Sequence, residues 1–539
     1  MNGILALLGF GVFARRRLLT YLHLFQQEEY DNRRFLAWLV TNRAWDQRLS
    51  LALLIVWLMQ VLPPHQTVPN WVFGGLAGAV CVVVTVFERD PRRTAKKRLA
   101  MTARAKRIYA AALVLLAIFA IAAALATGPL AQGIWLRGIW LWIVPVQLVP
   151  LALVAANLLL APLEAKTQQR YWREAQEVLR DIDPMVIAIT GSYGKTSVKH
   201  ILGHILETAA PTLITPGSVN TAMGIARVIR ERLRPHHRYF VVEMGAYGPG
   251  SIRRLCELTP PKMGIVTAIG VAHYERFKSL EAVAEAKFEL AEAVAENAGT
   301  IVAAADVLGF AAPRRFIEAH PDVLLTVGSA DGAAFTVTAM RQNTDGIAVT
   351  VAFRGQSYDL RAPLFGLQQG SNLALAFAAA CTLGIAPEDV VASLRSTPQI
   401  AHRLEVKREA SGATLIDDAY NSNPVGFAAA LEVLDVLRRP GGRRILVTPG
   451  MVELGAMHDD EHRRIGRLAA SHVDVLLAVA PHRVAPLAQS FAEAAPTAEI
   501  VSCLGFAEAQ AWMTRNLATG DVVLLEIDLP DLLEQKLRL

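Results

Sequence analysis

Over the first 160 residues, long apolar runs alternate with basic segments, and from residue 184 onward short apolar runs alternate with longer amphipathic ones. Four apolar runs stand out in the first region, roughly Leu49–Leu62, Trp71–Phe87, Tyr109–Ala126 and Gly138–Leu160. A helix that crosses a bilayer needs about 20 residues, within a range of about 17–25. The last three runs meet that length, and the first meets it with its uncharged flank through Val68. Met1–Ala14 is apolar too, but it ends at Arg15-Arg16-Arg17 and is expected to lie in the membrane interface as an anchor. It has no small-residue cleavage site, so it does not read as a signal peptide. The mixed polar and aromatic segment Gln26–Trp38 is expected to be an interfacial helix, with a place near the acceptor as the alternative. From Glu164 to Asp183 the pattern is polar and helical, which predicts a linker helix over 161–183. Beyond it Val186–Thr190, Tyr239–Glu243, Met263–Ala268 and Thr300–Ala305 predict strands separated by helices, the pattern of an α/β fold with a mainly parallel sheet.

Charge sharpens this division. The chain has 539 residues, 53% hydrophobic and 19% charged, and a net charge of +6, which excludes a disordered or collagen-like protein. Residues 1–160 carry 17 Lys/Arg against 6 Asp/Glu, whereas residues 161–539 carry 37 against 42. The basic excess therefore belongs to the apolar third, and no nucleic-acid partner is expected. Residues 15–48 hold seven arginines and Glu88–Arg107 nine Lys/Arg, while Pro63–Asn70 and Thr127–Gly133 hold none. Under the positive-inside rule, four spans leave both chain ends in the cytoplasm of a bacterial-type inner membrane, with the lipid bilayer as a partner. Cys81, Cys256, Cys381 and Cys503 are far apart, which fits a reducing compartment better than a disulfide framework or a zinc site.

The chemistry starts at the first strand of the second region. Met185–Thr190 runs into Gly191-Ser192-Tyr193-Gly194-Lys195-Thr196-Ser197 and then into a helical stretch, Val198–Glu207. A strand, a glycine loop, Lys-Thr and a helix together form a phosphate cradle. Backbone N–H groups and the helix N-terminus face the oxygens, the lysine reaches the β/γ-phosphates and the threonine hydroxyl ligates Mg²⁺. The loop is two residues shorter than the common phosphate-loop pattern, because Ile189 stands where that pattern has glycine. Downstream, Glu243 ends one strand, His273 follows another, and Lys287 sits on a helix. In an open α/β sheet ligands bind beyond the carboxyl ends of the strands, so Glu243 and His273 are candidate metal ligands. Each also has a plain reading, as a cap, a surface histidine and a solvated lysine.

Taken in order, these residues resemble the Mur ligases. The blocks are Thr190–Thr196, Ser218-x-Asn220-Thr221, Glu243-Met-Gly, His273, Ala286-Lys287-x-Glu289-Leu290, Gly370-Ser-Asn372, His402-Arg403-Leu-Glu405 and Asp417-Asp418-x-Tyr420-Asn421-Ser-Asn423-Pro424. They cover about residues 184–470 and are most similar to the MurF-like branch, which adds D-alanyl-D-alanine to UDP-N-acetylmuramoyl-tripeptide. The resemblance implies a central ATP-binding domain (184–400), a C-terminal Rossmann-like domain (401–539) and an amide ligase that works through an acyl phosphate. It implies that Gly191, Ser192, Gly194, Lys195, Thr196 and Ser197 hold the triphosphate, and that Thr196, Glu243 and His273 hold one or two Mg²⁺. Asn372 matches an adenine contact, Arg403 a phosphate contact and Asp418 a ribose contact. Lys287 matches a lysine that is carbamoylated in this family, and Lys195, Lys287 and His273 are the expected catalytic set. Ser218, Asn220, Thr221, Asn421 and Asn423 are the expected substrate contacts.

Two departures bear on substrate. The family's UDP-binding N-terminal domain has no counterpart, since residues 1–160 are apolar runs and basic loops. Where the MurF-like branch has Lys-Gly-Ser-Arg, the last strand here, Val522–Leu525, runs into Glu526-Ile527-Asp528-Leu529. The expected reactants are a carboxylate-bearing acceptor, lipid- or nucleotide-linked, and an amino acid or dipeptide amine. A polyglutamate-synthase-like ligase and a non-catalytic membrane scaffold are the alternatives. A transporter fits poorly, because the spans hold almost no ionisable residues.

Overall fold

The computed structural model describes residues 2–62, 68–88, 90–92, 98–126, 138–270, 277, 279–330, 332–419, 423–452 and 454–526. The chain forms two compact units, Met1–Thr167 and Gln168–Leu529. The first is helical: α1 (Asn2–Gln27), α2 (Asn32–Thr41), α3 (Gln47–Val61), α4 (Asn70–Phe87), α5 (Ala103–Ala126) and the start of α6 (Ile143–Ile182).

Two of the four expected spans are long and apolar enough to cross a membrane, Ala103–Ala126 and Ile139–Ile182, by length and composition. The other two are shorter apolar helices. The 15 residues of α3 rise about 22 Å, short of a hydrocarbon core of about 30 Å. Leu62 leaves the helical region at φ −78° and ψ 141°, as expected of a residue that precedes proline.

The N-terminal segment also differs from the interfacial anchor expected of it. Helix α1 continues through Arg15-Arg16-Arg17 to Gln27, and its Phe10, Phe13, Leu18 and Leu22 are buried among the other helices. The arginines do not end the helix, because partners meet their charge. Arg17 pairs with Asp46 at 2.9 Å and with Glu88 at 3.3 Å, and Arg16 pairs with Asp90 at 2.7 Å. Glycine lets α1 approach α4 closely, since a Cβ on Gly9 would lie 2.3 Å from the Gly78 Cα. Gln26–Trp38 is not one helix either. The chain turns at Glu29 and Tyr30, both at positive φ, and Asp31 then caps α2 through the N–H groups of Arg33 and Arg34.

The second unit holds two sheets. The first has nine strands in the order β2-β3-β1-β4-β5-β6-β7-β8-β9. They are β1 (Met185–Thr190), β2 (Thr212–Ile214), β3 (Tyr239–Glu243), β4 (Met263–Val266), β5 (Thr300–Ala304), β6 (Leu324–Gly328), β7 (Phe335–Asn343), β8 (Gly346–Phe353) and β9 (Gln356–Ala362). Strands β2 to β7 are parallel, and β7, β8 and β9 form antiparallel hairpins. β1 is central and covered on both faces, which is why it reads as an unbroken apolar run rather than an alternating one.

The second sheet has six strands, β10 (Glu405–Arg408), β11 (Thr414–Asp417), β12 (Arg444–Thr448), β13 (Val475–Val479), β14 (Glu499–Cys503) and β15 (Val522–Leu525), in the order β10-β11-β15-β12-β13-β14. All its pairings are parallel except β10 with β11. The second unit is thus an α/β structure with mostly parallel sheets. Phe365, which follows β9, is buried with Leu404 and Ile416 in the core of the second sheet and ties the two layers together.

Candidate active site

The register of the first sheet assembles the site. Ile189 of β1 lies beside Glu243 of β3, and Thr190 lies beside Val266 of β4, so three strand ends meet at one edge. The phosphate loop crosses that edge and enters α7 (Lys195–Ala209). Its shape requires two glycines. Gly191 has φ +153°, and a Cβ there would lie 1.9 Å from the Thr267 hydroxyl oxygen. Gly194 has φ +80°, and its Cβ would lie 2.4 Å from Asn372 Oδ1. Neither conformation nor space admits a side chain. Ser192 fastens the loop from beneath: its N–H donates to Ala268 O at 2.7 Å, and its hydroxyl exchanges bonds with the backbone of Gly270.

Glu243 is the hub. Its Oε2 accepts from the Thr196 hydroxyl at 3.0 Å and from Lys199 Nζ at 2.9 Å, and Oε1 faces Asn220 Nδ2 at 3.4 Å. The Glu243 N–H donates to the Thr215 hydroxyl at 3.2 Å, and Tyr247 OH donates to Asn220 Oδ1 at 2.8 Å. Two hard oxygen donors 3.0 Å apart match the edge of an octahedron with metal–oxygen bonds of about 2.1 Å, so Thr196 and Glu243 fit Mg²⁺.

Of the cations around this hub Lys199 and Lys287 are buried, and Lys195 and Arg403 are half-buried. Lys195 folds back to donate to Gly191 O at 2.7 Å. Burial draws its pKa down, the Glu243 charge opposes that, and Arg403 adds to it. Lys199 is fully buried and bonded to Glu243 and to Gly217 O. Lys287, on the helix Leu280–Glu296, is 4% exposed and has no carboxylate partner among the described residues. Burial, and then the Lys195 charge, holds its pKa well below that of an ordinary lysine. Arg403 sits between two residues at positive φ, His402 and Leu404, in the crossing from the first sheet to the second. Asp418 follows β11, accepts from the Leu404 N–H at 3.3 Å and bonds to the Glu526 side chain. Burial pushes its pKa up to about 6, against the pull of Arg403.

Of the expected residues, Gly191–Ser197, Asn220, Glu243 and Asn372 meet directly, and Lys287 and Arg403 join them through their fields at Lys195. Asn372 is buried and bonded to Gln369 Oε1 at 2.9 Å. Ser218 and Thr221 flank Asn220 in the turn before α8 (Ala222–Arg232). Asn423 caps the helix Pro424–Leu437 through the Gly426 N–H at 2.9 Å. His273 and Asn421 lie outside the described residues. The sequence reading missed Lys199, Thr215 and Tyr247. Lys199 had a signal, since it stands one helical turn after Lys195 and shares its face.

Comparison with known proteins places this geometry. Residues 189–380 match the Mur ligase middle domain, and residues 402–526 match the Mur ligase glutamate ligase domain. The chain is 32% identical over 362 residues to a UDP-N-acetylmuramoyl-tripeptide–D-alanyl-D-alanine ligase of Mycobacterium tuberculosis, covering 63% of this chain and 70% of that protein. It is 32% identical over 314 residues to the ligase of the same name from Escherichia coli, covering 58% and 68%. A crystal structure of MurF from Acinetobacter baumannii superposes with a TM-score of 0.58 at 26% identity, covering 67% of this chain and 77% of that one. A Thermotoga maritima MurF ligase solved in complex with ADP shares the fold at 22% identity, with a TM-score of 0.56 and coverage of 69% and 82%.

Proposed function

The chain belongs to the Mur ligase family of ATP-dependent, ADP-forming amide ligases, and from that premise we propose that it joins a carboxylate acceptor to an amine at the cytoplasmic face of a bacterial inner membrane, in the synthesis of a cell-envelope peptide precursor. The observation that carries the reading is the Thr196–Glu243 oxygen pair beside a phosphate loop, the half-buried Lys195 and two buried cations, Lys199 and Lys287.

The acceptor carboxylate takes the γ-phosphoryl group of ATP to become an acyl phosphate, and the amine then displaces phosphate to form the amide. In this reading Gly191–Ser197 cradle the triphosphate, and Lys195 swings from the Gly191 carbonyl to the β/γ-phosphates. Arg403 and Asp418 bring the second sheet onto phosphate and ribose, and Asn372 faces the base. Thr196 and Glu243, with His273, would hold Mg²⁺, which neutralises the charge that builds up as the phosphoryl group moves. A neutral Lys287 amine adds CO₂ and releases a proton, giving a carbamate whose charge answers Lys195. Ser218, Asn220 and Thr221, with Asn421 and Asn423, contact the two joined substrates.

Membrane attachment is supported by an inverted surface. In the first unit large apolar side chains face outward, among them Val86, Val114, Ile118, Phe119 and Leu159, while Arg17, Asp46 and Glu164 are inside. We read Ala103–Ala126 and the apolar start of Ile139–Ile182 as spans of a multi-pass membrane protein, with the two shorter apolar helices beside them in the same unit. With Lys-Gly-Ser-Arg replaced and a membrane unit in place of a UDP-binding domain, a lipid-linked acceptor fits better than a soluble nucleotide. The test is ADP release by detergent-purified protein, supplied with bicarbonate and Mg²⁺, against lipid-linked and UDP-linked muramoyl peptides, each paired with amino acids or D-alanyl-D-alanine. Turnover with a lipid-linked acceptor supports the proposal. Turnover with the UDP-tripeptide alone overturns the acceptor, and ADP release with no acid–amine pair overturns the whole. Extraction by alkaline carbonate would overturn the membrane assignment.

A further inference from the structure

We propose that Lys199 is a positioning residue that makes divalent-cation binding at the Thr196–Glu243 pair conditional on a bound polyphosphate. The inference rests on the reading of that pair as the Mg²⁺ site and adds to it a residue and an order of binding. Lys199 lies on α7, four residues past Lys195, and its side chain is fully buried. Its Nζ donates to Glu243 Oε2 at 2.9 Å, the oxygen that also accepts from the Thr196 hydroxyl, and to the Gly217 carbonyl in the turn that carries Ser218, Asn220 and Thr221.

A fixed ammonium therefore occupies one side of the carboxylate oxygen that a metal ion would use. The field of Arg403 reaches Lys195 and Lys199, and that of Lys195 reaches Lys287. Among the described residues of this shell Glu243 is the carboxylate bonded to Lys199, and its field also reaches Lys195. A divalent ion arriving alone would meet one carboxylate already neutralised by Lys199, in surroundings where charge is poorly screened. A triphosphate reverses the local sign, so metal and nucleotide enter together. The bond to Gly217 O keeps Lys199 from following the metal and holds the acceptor-side turn in register with Glu243.

The test is Mn²⁺ binding to the full chain in detergent, with free Mn²⁺ counted by electron paramagnetic resonance with and without ADP. Wild type is expected to hold Mn²⁺ with ADP and to release it without. Lys199→Met removes the charge, and Lys199→Gln removes it while keeping a donor for Gly217 O. Both should bind Mn²⁺ without nucleotide about tenfold more tightly or better than wild type, so that ADP matters less. If either variant unfolds cooperatively on heating and still keeps the wild-type dependence on ADP, Lys199 is structural only and the proposal fails. If wild type holds no Mn²⁺ even with ADP, the metal reading of Thr196 and Glu243 fails, and this inference with it.

Discussion

The Thr196 hydroxyl donates to Glu243 Oε2 over 3.0 Å, joining the first turn of α7 to the end of β3 across 47 residues of sequence. The same oxygen carries the ion pair to Lys199, and both charges are out of water. Removing one member of a buried pair leaves the other uncompensated. We expect Glu243→Ala to lower stability by about 3–5 kcal/mol, measured by urea unfolding. Glu243→Gln keeps a hydrogen-bond acceptor and should lose less. Equal midpoints for Glu243→Ala and wild type would show that this pair does not hold the sheet edge.

Gly194 tests the loop rather than the charge. Its φ of +80° disfavours any side chain, and a Cβ would press on Asn372 Oδ1. Gly194→Ala should cost about 1–3 kcal/mol in strain and push Asn372 off its bond to Gln369. Because Gly194 is assigned to the triphosphate cradle and Asn372 to the base, both contacts that bind the nucleotide, the KM for ATP should rise more than kcat falls. A fall confined to kcat would argue against that assignment.

His462 gives the second sheet a dependence on pH. It is fully buried, accepts the Met451 N–H at Nε2 over 3.0 Å and donates from Nδ1 to His458 O at 2.6 Å. Burial, opposed by the bond to His458, brings its pKa down to about 4. The unfolded chain thus binds this proton near pH 6.5 and the folded chain only near 4, so stability falls as pH drops through that window. The loss is on the order of 3 kcal/mol at full extent. His462→Gln should be less stable at pH 7.5, and its stability should change less between pH 6.5 and 4. The comparison is of urea midpoints at both ends of that window, and parallel curves would exclude His462 as the source.

Much of the candidate site was legible because its signals are local. A buried strand, a glycine loop and Lys195-Thr196 lie consecutively in the chain, and the ends of β1 and β3 could be read from apolar runs that stop at polar residues. Lys199 was legible only as a neighbour of Lys195 one helical turn on, because the chain does not say that this face turns inward to Glu243 rather than out to water. The first unit failed for a related reason. Composition marks Met1–Ala14 as apolar and Arg15-Arg16-Arg17 as a stop, but partners far along the chain, Asp46, Glu88 and Asp90, meet two of those charges and let α1 run on. Asn423 stands in the expected substrate motif, and its Oδ1 also caps the first turn of a helix, a second role that the motif did not show.

Lys287 offers the clearest chemical test. An ammonium at this site faces burial and the charge of Lys195 together, and both favour the neutral amine. A neutral amine is the form that adds CO₂, and the resulting carbamate turns a repulsion with Lys195 into an attraction. Protein equilibrated with ¹³C-bicarbonate at pH 8 should therefore show a carbamate carbon resonance that disappears in Lys287→Arg, whose guanidinium does not form the adduct. The signal should weaken as pH falls, because protonation competes with CO₂ for the amine. Ligase activity should drop when bicarbonate is stripped and recover when it is restored, whereas Lys287→Arg should be slow, by about a hundredfold or more, and indifferent to bicarbonate. A wild-type enzyme at full rate without CO₂, and with no such resonance, would leave Lys287 as a bare amine and require another source for the negative charge beside Lys195.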